Sequence, residues 1–290
     1  MGKKKASLYA LVAAASAITA AAFYCRWQNN DIMTTNLIYR NPKIPEAFEG
    51  YRIALVSDLH AKMFGKNQKD LVSLIKKQQP DMIALTGDLI DRMHTDLDVV
   101  MKFARQAVKI APVFYVPGNH EADYKRYPEL KKLLRGLEVT ILENKKETLY
   151  RDGAAMELVG VRDPLFSTRR RNPVAQAYYM ERNLKQVIDG ETSAVRILLS
   201  HRPELVDVYK KCGVDLALTG HAHGGQWRIP GVGGLFAPDQ GVMPKLTSGM
   251  HEFGDTTLVI SRGLGNSGFP IRIANRPELV IITLTNVQQA

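Results

Sequence analysis

From Tyr51 onward, short runs of apolar residues alternate with amphipathic stretches. Apolar runs of this kind, bounded by turn residues, are typical of buried strands in a largely parallel sheet. The alternation therefore predicts an α/β domain. The predicted strands are 52–57, 82–86, 113–116, 156–161, 195–200 and 214–218, followed by the more alternating strands 256–261 and 279–285.

The stretches between these strands place apolar residues at helical spacing. Some of them begin with proline, which the first turn of a helix tolerates because its N–H needs no partner there. The predicted helices are 66–78, 97–110, 128–134, 173–188 and 203–211.

Residues 1–27 have the pattern of a targeting segment. Lys3 to Lys5 precede an almost uncharged run that extends to Tyr24. At ~1.5 Å per residue, such a helix is just long enough to cross a ~30 Å hydrocarbon core. The positive-inside rule then predicts a single-pass signal anchor, with the rest of the chain extracytoplasmic. The alternative is a signal peptide cleaved at Ala20 to Ala22, which would leave a secreted protein.

Composition limits what the remaining chain can be. Residues 28–50 are polar and predict a linker, and residues 51–286 predict one globular domain, since 290 residues with 45% hydrophobic content can bury a large core. The formal charge of +10 favours an anionic partner such as a phosphate ester, an acidic membrane surface or nucleic acid. The two cysteines, Cys25 and Cys212, form no CxxC pair, which excludes a thiolate metal site and a disulfide framework.

Polar residues with metal-binding side chains directly follow five of the predicted strands. Each motif alone is better explained as an ordinary turn. However, an open α/β sheet gathers the carboxyl ends of its strands at one edge, which is where such sheets bind ligands. The seven candidates are Asp58, His60, Asp88, Asn119, His201, His221 and His223, and His120 lies beside them in the sequence.

The order of these motifs resembles the signature of the calcineurin-like metallophosphoesterases: Asp-x-His, Gly-Asp, Gly-Asn-His, a single His, then Gly-His-x-His. The resemblance covers roughly residues 52–285. It implies a four-layer α/β/β/α sandwich around a two-metal centre. The implied ligands are Asp58, His60 and His223 for one metal, Asn119, His201 and His221 for the other, and Asp88 as the carboxylate that bridges both.

Oxygen and imidazole ligands without thiolate suit Mn, Fe or Zn as the two divalent ions. Such a pair of ions would outweigh the negative charges of Asp58 and Asp88, attract a phosphate, and lower the pKa of a water for attack on phosphorus. By the same resemblance, His120 stabilises the transition state or protonates the leaving oxygen. Asp91 resembles a carboxylate that orients this histidine, and a plain turn residue is the alternative.

The segments around His223 and Arg262 resemble the membrane-associated branch of the family, which includes bacterial phosphodiesterases and UDP-2,3-diacylglucosamine pyrophosphohydrolases. Arg262 and Arg272 are candidates for binding a substrate phosphate, with structural ion pairs as the alternative. The basic run 169–171 is a candidate contact for acidic lipid headgroups or a phosphorylated substrate, with a solvated loop as the alternative.

The sequence as a whole predicts a metal-dependent phosphoesterase that acts on a phosphodiester or pyrophosphate, in a phosphorylated small molecule or a lipid-linked substrate, and that meets the membrane through its N-terminal helix. The alternatives are a phosphomonoesterase or nuclease on the same centre, or a catalytically silent binding scaffold. Nucleic acid is not expected as a partner, because the chain has no basic stripe with interleaved aromatic residues. The sequence does not predict an oligomeric state.

Overall fold

The computed structural model describes residues 2–93, 95–168, 172–188, 190, 192–266 and 268–286. Within these ranges the α-helices are α1 (Gly2–Asn30), α2 (Lys69–Gln78), α3 (Leu97–Ala107), α4 (Asn119–Asp123), α5 (Tyr127–Arg135), α6 (Pro173–Val187) and α7 (Val206–Lys211).

Two mixed six-stranded sheets form the centre of the molecule. The first consists, in spatial order, of β1 (Met33–Arg40), β16 (Glu278–Thr285), β2 (Arg52–Val56), β3 (Met82–Thr86), β4 (Val113–Val116) and β5 (Thr140–Ile141). The second consists of β14 (Gly249–Phe253), β15 (Thr256–Ile260), β9 (Leu216–Thr219), β8 (Arg196–Leu199), β7 (Ala154–Gly160) and β6 (Lys145–Arg151). Two small antiparallel ribbons pair β10 (Arg228–Ile229) with β11 (Gly233–Gly234) and β12 (Phe236–Ala237) with β13 (Gly241–Val242).

Each sheet has a parallel centre. Strands β2 to β5 run parallel in the first sheet, and β15, β9, β8 and β7 run parallel in the second. The strands β16 and β2 pair antiparallel, as do β14 with β15 and β6 with β7. The parallel strands are buried on both faces, which explains why they form continuous apolar runs in the sequence.

Three layers of buried apolar side chains hold the elements together. Between the sheets, Leu55 of β2 packs in one cluster with Leu199 of β8. The outer face of the first sheet packs against α2, α3 and α5, where Phe103 is fully buried. The outer face of the second packs against α6 and α7 through residues such as Leu184 and Tyr209. This order of layers confirms the predicted α/β/β/α sandwich.

The N-terminal helix α1 is the element outside these layers. Within its segment Ser7–Asn30, an 18-residue window has a mean hydropathy of 1.8 and none of it is buried, whereas Gln28 in the last turn is buried. By length and composition it is sufficient to cross a membrane. The single N-terminal hydrophobic helix predicted from the sequence is therefore confirmed.

The structure corrects the linker predicted over residues 28–50. Strand β1 lies within this range and pairs along its whole length with β16. Tyr39, Ile44 and Phe48 are buried and belong to the core between the sheets. The threonines and the tyrosine of Met33–Arg40 favour a strand. Its polar residues are explained by its position at the edge of the sheet.

This correction predicts a large stability difference between two neighbouring substitutions in β1. Tyr39→Ala should lower the free energy of unfolding by about 3 kcal/mol, because it removes a buried ring from the core. Ile38→Ala, which changes an exposed side chain of the same strand, should change it by less than ~1 kcal/mol. Chemical denaturation followed by circular dichroism measures both. Equally small effects would mean that this segment is a linker after all.

Candidate metal centre

The candidate ligands lie at the carboxyl ends of strands from both sheets, in loops and at the start of α4. Asp58 and His60 follow β2, Asp88 follows β3, Asn119 and His120 follow β4, His201 follows β8, and His221 and His223 follow β9. All eight side chains are buried. The packing of the two sheets brings these ends together, so the structure collects residues that are up to 165 positions apart, from 58 to 223.

The backbone at this edge is held in left-handed conformations, which non-glycine residues rarely adopt. The φ angles are positive at Asp58, His60, Asp88, His221 and His223. Such conformations cost free energy and persist only where the surrounding structure enforces them, commonly at functional sites.

Glycine permits the close approach of these loops. A Cβ on Gly87, whose φ is +92°, would lie 2.6 Å from the backbone nitrogen of Gly118. A Cβ on Gly220 would lie 1.9 Å from Oγ of Ser57 and 2.3 Å from a carboxylate oxygen of Asp58. Any larger residue at either position would separate the loops that carry the candidate ligands.

The first donor cluster contains Asp58, His60 and His223. The Nε2 atoms of the two histidines are 3.2 Å apart. Oδ1 of Asp58 is 3.4 Å from Nε2 of His223 and 3.9 Å from Nε2 of His60. One carboxylate oxygen and two imidazole nitrogens thus point at a common position.

The second donor cluster contains Asn119, His201 and His221. Nε2 of His201 is 3.1 Å from Oδ1 of Asn119 and 3.2 Å from Nδ1 of His221. The other ring nitrogen of His201 is 2.7 Å from the carbonyl oxygen of Thr86, so in the neutral ring this nitrogen carries the proton and the lone pair of Nε2 faces the cluster.

Asp88 lies between the two clusters. Its Oδ2 is 3.2 Å from Nε2 of His201 and 3.8 Å from Nε2 of His60. Its Oδ1 accepts a hydrogen bond of 2.8 Å from the backbone N–H of His120, which fixes the carboxylate. The structure therefore brings all seven predicted ligands together, with Asp88 at the centre.

This arrangement of donors fits divalent cations. Two imidazole nitrogens bound to one tetrahedral ion at ~2.0–2.1 Å would lie about 3.3 Å apart. The nitrogen pairs His60–His223 and His201–His221 are both separated by 3.2 Å. Nitrogen and oxygen donors without sulfur suit Mn, Fe or Zn, and do not select one of them.

The electrostatics of the site also favour cations. Burial lowers the pKa of His60 to about 3, which leaves its imidazole neutral. Burial alone would lower the pKa of His201, but the adjacent Asp88 raises it to about 10. Burial likewise opposes ionisation of Asp88, yet His201 and the other nearby histidines hold the pKa of Asp88 well below its usual range. A bound cation would therefore take the place of the proton that His201 holds against Asp88.

Glu121 is a structural residue of the site that sequence reasoning missed. Its buried carboxylate accepts hydrogen bonds from the backbone N–H groups of Asp88, Leu89, Ile90 and Gly118, at 2.7 to 3.3 Å. Burial and the neighbouring Asp88 raise the pKa of Glu121 to about 8. This side chain joins the loops after β3 and β4. The one sequence signal for this role is the position of Glu121 directly after Asn119 and His120.

Asp239 and Arg202 form a second group that the sequence did not reveal. Oδ2 of Asp239 is 3.0 Å from Nε2 of His221, so this ring nitrogen donates and Nδ1 faces the donor cluster. Arg202 is buried and makes an ion pair with Asp239 and a two-pronged pair with Asp163, at 2.5 and 3.2 Å. Nη1 of Arg202 also lies 3.1 Å from Nε2 of His221. Because a guanidinium can only donate, these two nitrogens do not bond to each other, and both donate to Asp239.

His120 and Asp91 lie at the edge of the centre. Nδ1 of His120 accepts a hydrogen bond of 3.1 Å from the backbone N–H of Arg92, and its Nε2 is 3.9 Å from Oδ2 of Asp88. Oδ2 of Asp91 is 3.8 Å from Nδ1 of His120 and 3.7 Å from Nδ1 of His60. Asp91 thus lies between two imidazoles, beyond hydrogen-bond distance of either.

The geometry argues against the phosphate-binding role that the sequence predicted for Arg262 and Arg272. Arg272 is buried, and its guanidinium donates to the carbonyl oxygens of Arg262, Gly265 and Asn275 and to the side chain of Asn266. The Nε atom of Arg262 is 3.7 Å from Oε1 of Glu278. Both arginines therefore stabilise the segment after β15. The basic run 169–171 lies outside the described residues.

Comparison with known proteins identifies the family. The sequence model of the calcineurin-like phosphoesterases matches residues 51–225 of this chain. The chain belongs to the calcineurin-like phosphoesterase family. Members of this family are hydrolases that act on phosphoester bonds and use divalent metals. The donor clusters therefore belong to a fold that binds such ions. The family predicted from the five motifs is confirmed.

Two bacterial relatives extend the similarity over most of the chain. The uncharacterized metallophosphoesterase YkuE of Bacillus subtilis is 30% identical over 93% of this chain and 93% of its own length. The phosphodiesterase YaeI of Escherichia coli is 28% identical over 81% of this chain and 82% of its own length. Among solved structures, the sulfate thiohydrolase SoxB of Thermus thermophilus aligns with a TM-score of 0.50 at 13% identity, covering 84% of this chain and 58% of that protein, which supports the fold.

The contact between Asp239 and His221 predicts a specific loss of metal. Asp239→Ala should weaken binding at the second cluster by about 10–100-fold, because His221 loses the partner that fixes its tautomer and ring orientation. Asp207→Ala, at an exposed acidic residue of α7, is the matched control and should keep full metal content. Metal analysis after dialysis at controlled free metal concentrations measures both. Unchanged affinity in Asp239→Ala would contradict the positioning role.

Proposed function

We propose that this chain is a metal-dependent phosphoesterase that hydrolyses a phosphodiester or pyrophosphate by two-metal activation of water. The observation that supports the proposal most strongly is the position of Asp88, whose carboxylate lies between two buried donor clusters. One carboxylate shared by two clusters is the arrangement that two-metal hydrolases use.

We assign each cluster to one divalent ion, Mn, Fe or Zn. Asp58, His60 and His223 would bind the first, Asn119, His201 and His221 the second, and Asp88 both. When bound, such a pair of ions would supply an activated water and neutralise charge on the phosphate. Two divalent ions carry four positive charges, and the carboxylates of Asp58 and Asp88 supply two negative ones, so the centre would stay cationic and favour an anionic phosphate.

His120 is the proposed proton donor to the leaving oxygen. Because its Nδ1 accepts the backbone N–H of Arg92, the proton of the neutral ring is on Nε2, on the side of Asp88. From this side, the N–H of Nε2 would point at a phosphate bound at the centre, either as a hydrogen bond that stabilises the transition state or as the proton that the leaving oxygen takes. Oδ2 of Asp91 lies 3.8 Å from Nδ1 of the same ring, and Asp91 is the proposed carboxylate that orients it.

A cavity of about 590 Å³ leads to this centre. It has polar walls from His60, Asp91 and Asn266 and apolar walls from Met93, Phe269 and Pro270. A substrate with a phosphate at one end and an apolar group at the other fits such walls. The name of the relative YaeI, a phosphodiesterase, supports a diester rather than a monoester.

We further propose that α1 anchors the protein in a membrane, with the catalytic domain outside the cytoplasm. The support is the length and hydropathy of Ser7–Asn30 and the lysines that precede it. Cleavage of this segment as a signal peptide is the alternative, and the mass of the mature N-terminus distinguishes the two.

Two substitutions separate metal binding from proton transfer. Asp88→Asn should abolish turnover of bis-p-nitrophenyl phosphate and lower metal content, because it weakens both clusters at once. His120→Ala should reduce turnover by about 10²–10⁴-fold while metal stays bound. Steady-state kinetics and metal analysis of the same preparations test this.

Equal loss of metal in both variants would refute the separate roles. Hydrolysis of monoesters or of DNA in preference to diesters would favour a phosphomonoesterase or a nuclease on the same centre. A wild-type protein with full metal occupancy that hydrolyses none of these substrates would instead be a binding scaffold.

A further inference from the structure

Large apolar side chains are exposed beside the proposed catalytic cavity. Trp227, Phe236 and Phe269 are each 40% exposed, although aromatic rings usually bury most of their surface. The rings touch one another: the centroids of Trp227 and Phe269 are 5.6 Å apart, and those of Phe236 and Phe269 are 6.3 Å apart. They form one continuous patch rather than scattered surface residues.

Backbone contacts extend this patch to further apolar residues. Nε1 of Trp227 donates to the carbonyl oxygen of Ile271, and Trp227 forms a bridge with Ile273. Phe236 pairs with Val242, which is 78% exposed. We call this surface the apolar rim; it consists of Trp227, Phe236, Val242, Phe269, Ile271 and Ile273. Contiguous exposed apolar surfaces mark sites of interaction with proteins, ligands or membranes.

The last turn of α1 is attached to the segment that carries the rim. Oδ1 of Asn29 accepts hydrogen bonds from Nδ2 of Asn266 and from the backbone N–H of Arg272, at 2.8 and 3.3 Å. Oε1 of Gln28 accepts one from the backbone N–H of Asn275 at 3.1 Å. The helix that is long enough to cross a membrane therefore ends directly beside the apolar rim.

The rim also forms one wall of the cavity that reaches the metal centre. Phe269 of the rim and the adjacent Pro270 line this cavity together with His60 and Asp91. An object that covers the rim would thus lie at the entrance of the catalytic cavity.

We propose that the apolar rim inserts into the interfacial layer of the same bilayer that α1 enters, so that the catalytic cavity opens toward lipid headgroups. This inference rests on the proposed anchoring by α1 and on the proposed phosphoesterase function. A bilayer is the occupant because α1 holds the rim at the membrane surface, whereas a protein partner would have to displace lipid there. The exposed Lys245 lies three residues after Val242 of the rim in the sequence, and a cation together with aromatic and aliphatic side chains is typical of interfacial surfaces. The substrates reached in this way are phosphoesters carried by lipids.

The chain allows a direct test, because it contains only two tryptophans, Trp27 and Trp227. In the full-length Trp27→Phe variant, Trp227 is the sole indole. The protein is reconstituted in liposomes of phosphatidylcholine and phosphatidylglycerol, with or without brominated acyl chains. We expect brominated lipid to lower the fluorescence about twofold, because a surface inserted ~5–10 Å brings the indole close to the bromines. Iodide in the aqueous phase should quench it weakly.

A matched control places the reporter at the opposite edge of the protein. Tyr150 is 78% exposed and lies at the end of β6 that pairs with the start of β7, away from the carboxyl ends of the parallel strands. In the triple variant Trp27→Phe, Trp227→Phe, Tyr150→Trp, brominated lipid should leave the fluorescence unchanged, and iodide should quench it strongly.

Three results would overturn the proposal. Trp227 could remain insensitive to brominated lipid and open to iodide, which would mean a solvated rim. It could be insensitive to both, which would mean that a second copy of the chain covers the rim. Equal quenching by lipid of Trp227 and of the control indole introduced by Tyr150→Trp would mean non-specific adsorption.

Hydrolysis of bis-p-nitrophenyl phosphate in detergent separates this proposal from the proposed function, because this soluble ester needs no bilayer. A protein that hydrolyses the ester without lipid quenching at Trp227 retains the proposed function and loses the docking surface. A protein that shows the quenching but no hydrolysis retains the surface and loses the function.

Discussion

The structure depends on one buried electrostatic arrangement, the carboxylate of Asp88 among imidazoles from both sheets. Oδ2 of Asp88 lies 3.2 Å from Nε2 of His201 and 3.8 Å from Nε2 of His60. A buried carboxylate is costly unless positive charge compensates it. The fold compensates the charge of Asp88 by placing histidines around its carboxylate. In the proposed enzyme, two cations would add to this compensation. Glu121 and Asp239, which are themselves fixed by hydrogen bonds, hold the surrounding loops in place.

The distance between the donor clusters is set by packing far from the ligands. The apolar layer between the sheets fixes how close the carboxyl ends of β3 and β8 come, and Gly87 and Gly220 allow the loops beyond them to touch. The left-handed backbone at five of the candidate ligands is strain that this packing enforces. Stability and function are therefore coupled, since loosening the intersheet core would separate the two clusters.

The sequence predicted the elements whose signal is local and strong. The strands β3 and β4 were predicted to the residue, because buried parallel strands form short apolar runs. The seven candidate ligands follow such runs, and their position at strand ends, together with the resemblance to the calcineurin-like metallophosphoesterases, predicts that they meet. Strand β1 was mistaken for a linker and β6 was missed, because both are edge strands whose alternation is masked by polar and charged residues.

Other features could not be predicted from the sequence because they depend on tertiary contacts. Asp239 lies 18 residues after His221 in an irregular segment, and nothing near it in the chain indicates that its carboxylate returns to the imidazole. Arg272 is, from the sequence, a candidate for binding a substrate phosphate with a structural ion pair as the alternative, and only the fold shows that it is buried against backbone carbonyls. The apolar rim combines residues of two separate segments, and only the fold shows that they adjoin α1 and the catalytic cavity.

The most direct test of the two-metal centre is anomalous diffraction from crystals of the protein grown with manganese. The account predicts two anomalous peaks ~3.5–4 Å apart. One should contact Asp58, His60 and His223, the other Asn119, His201 and His221, and Asp88 should contact both. A single peak, or a pair of peaks that Asp88 does not join, would contradict it.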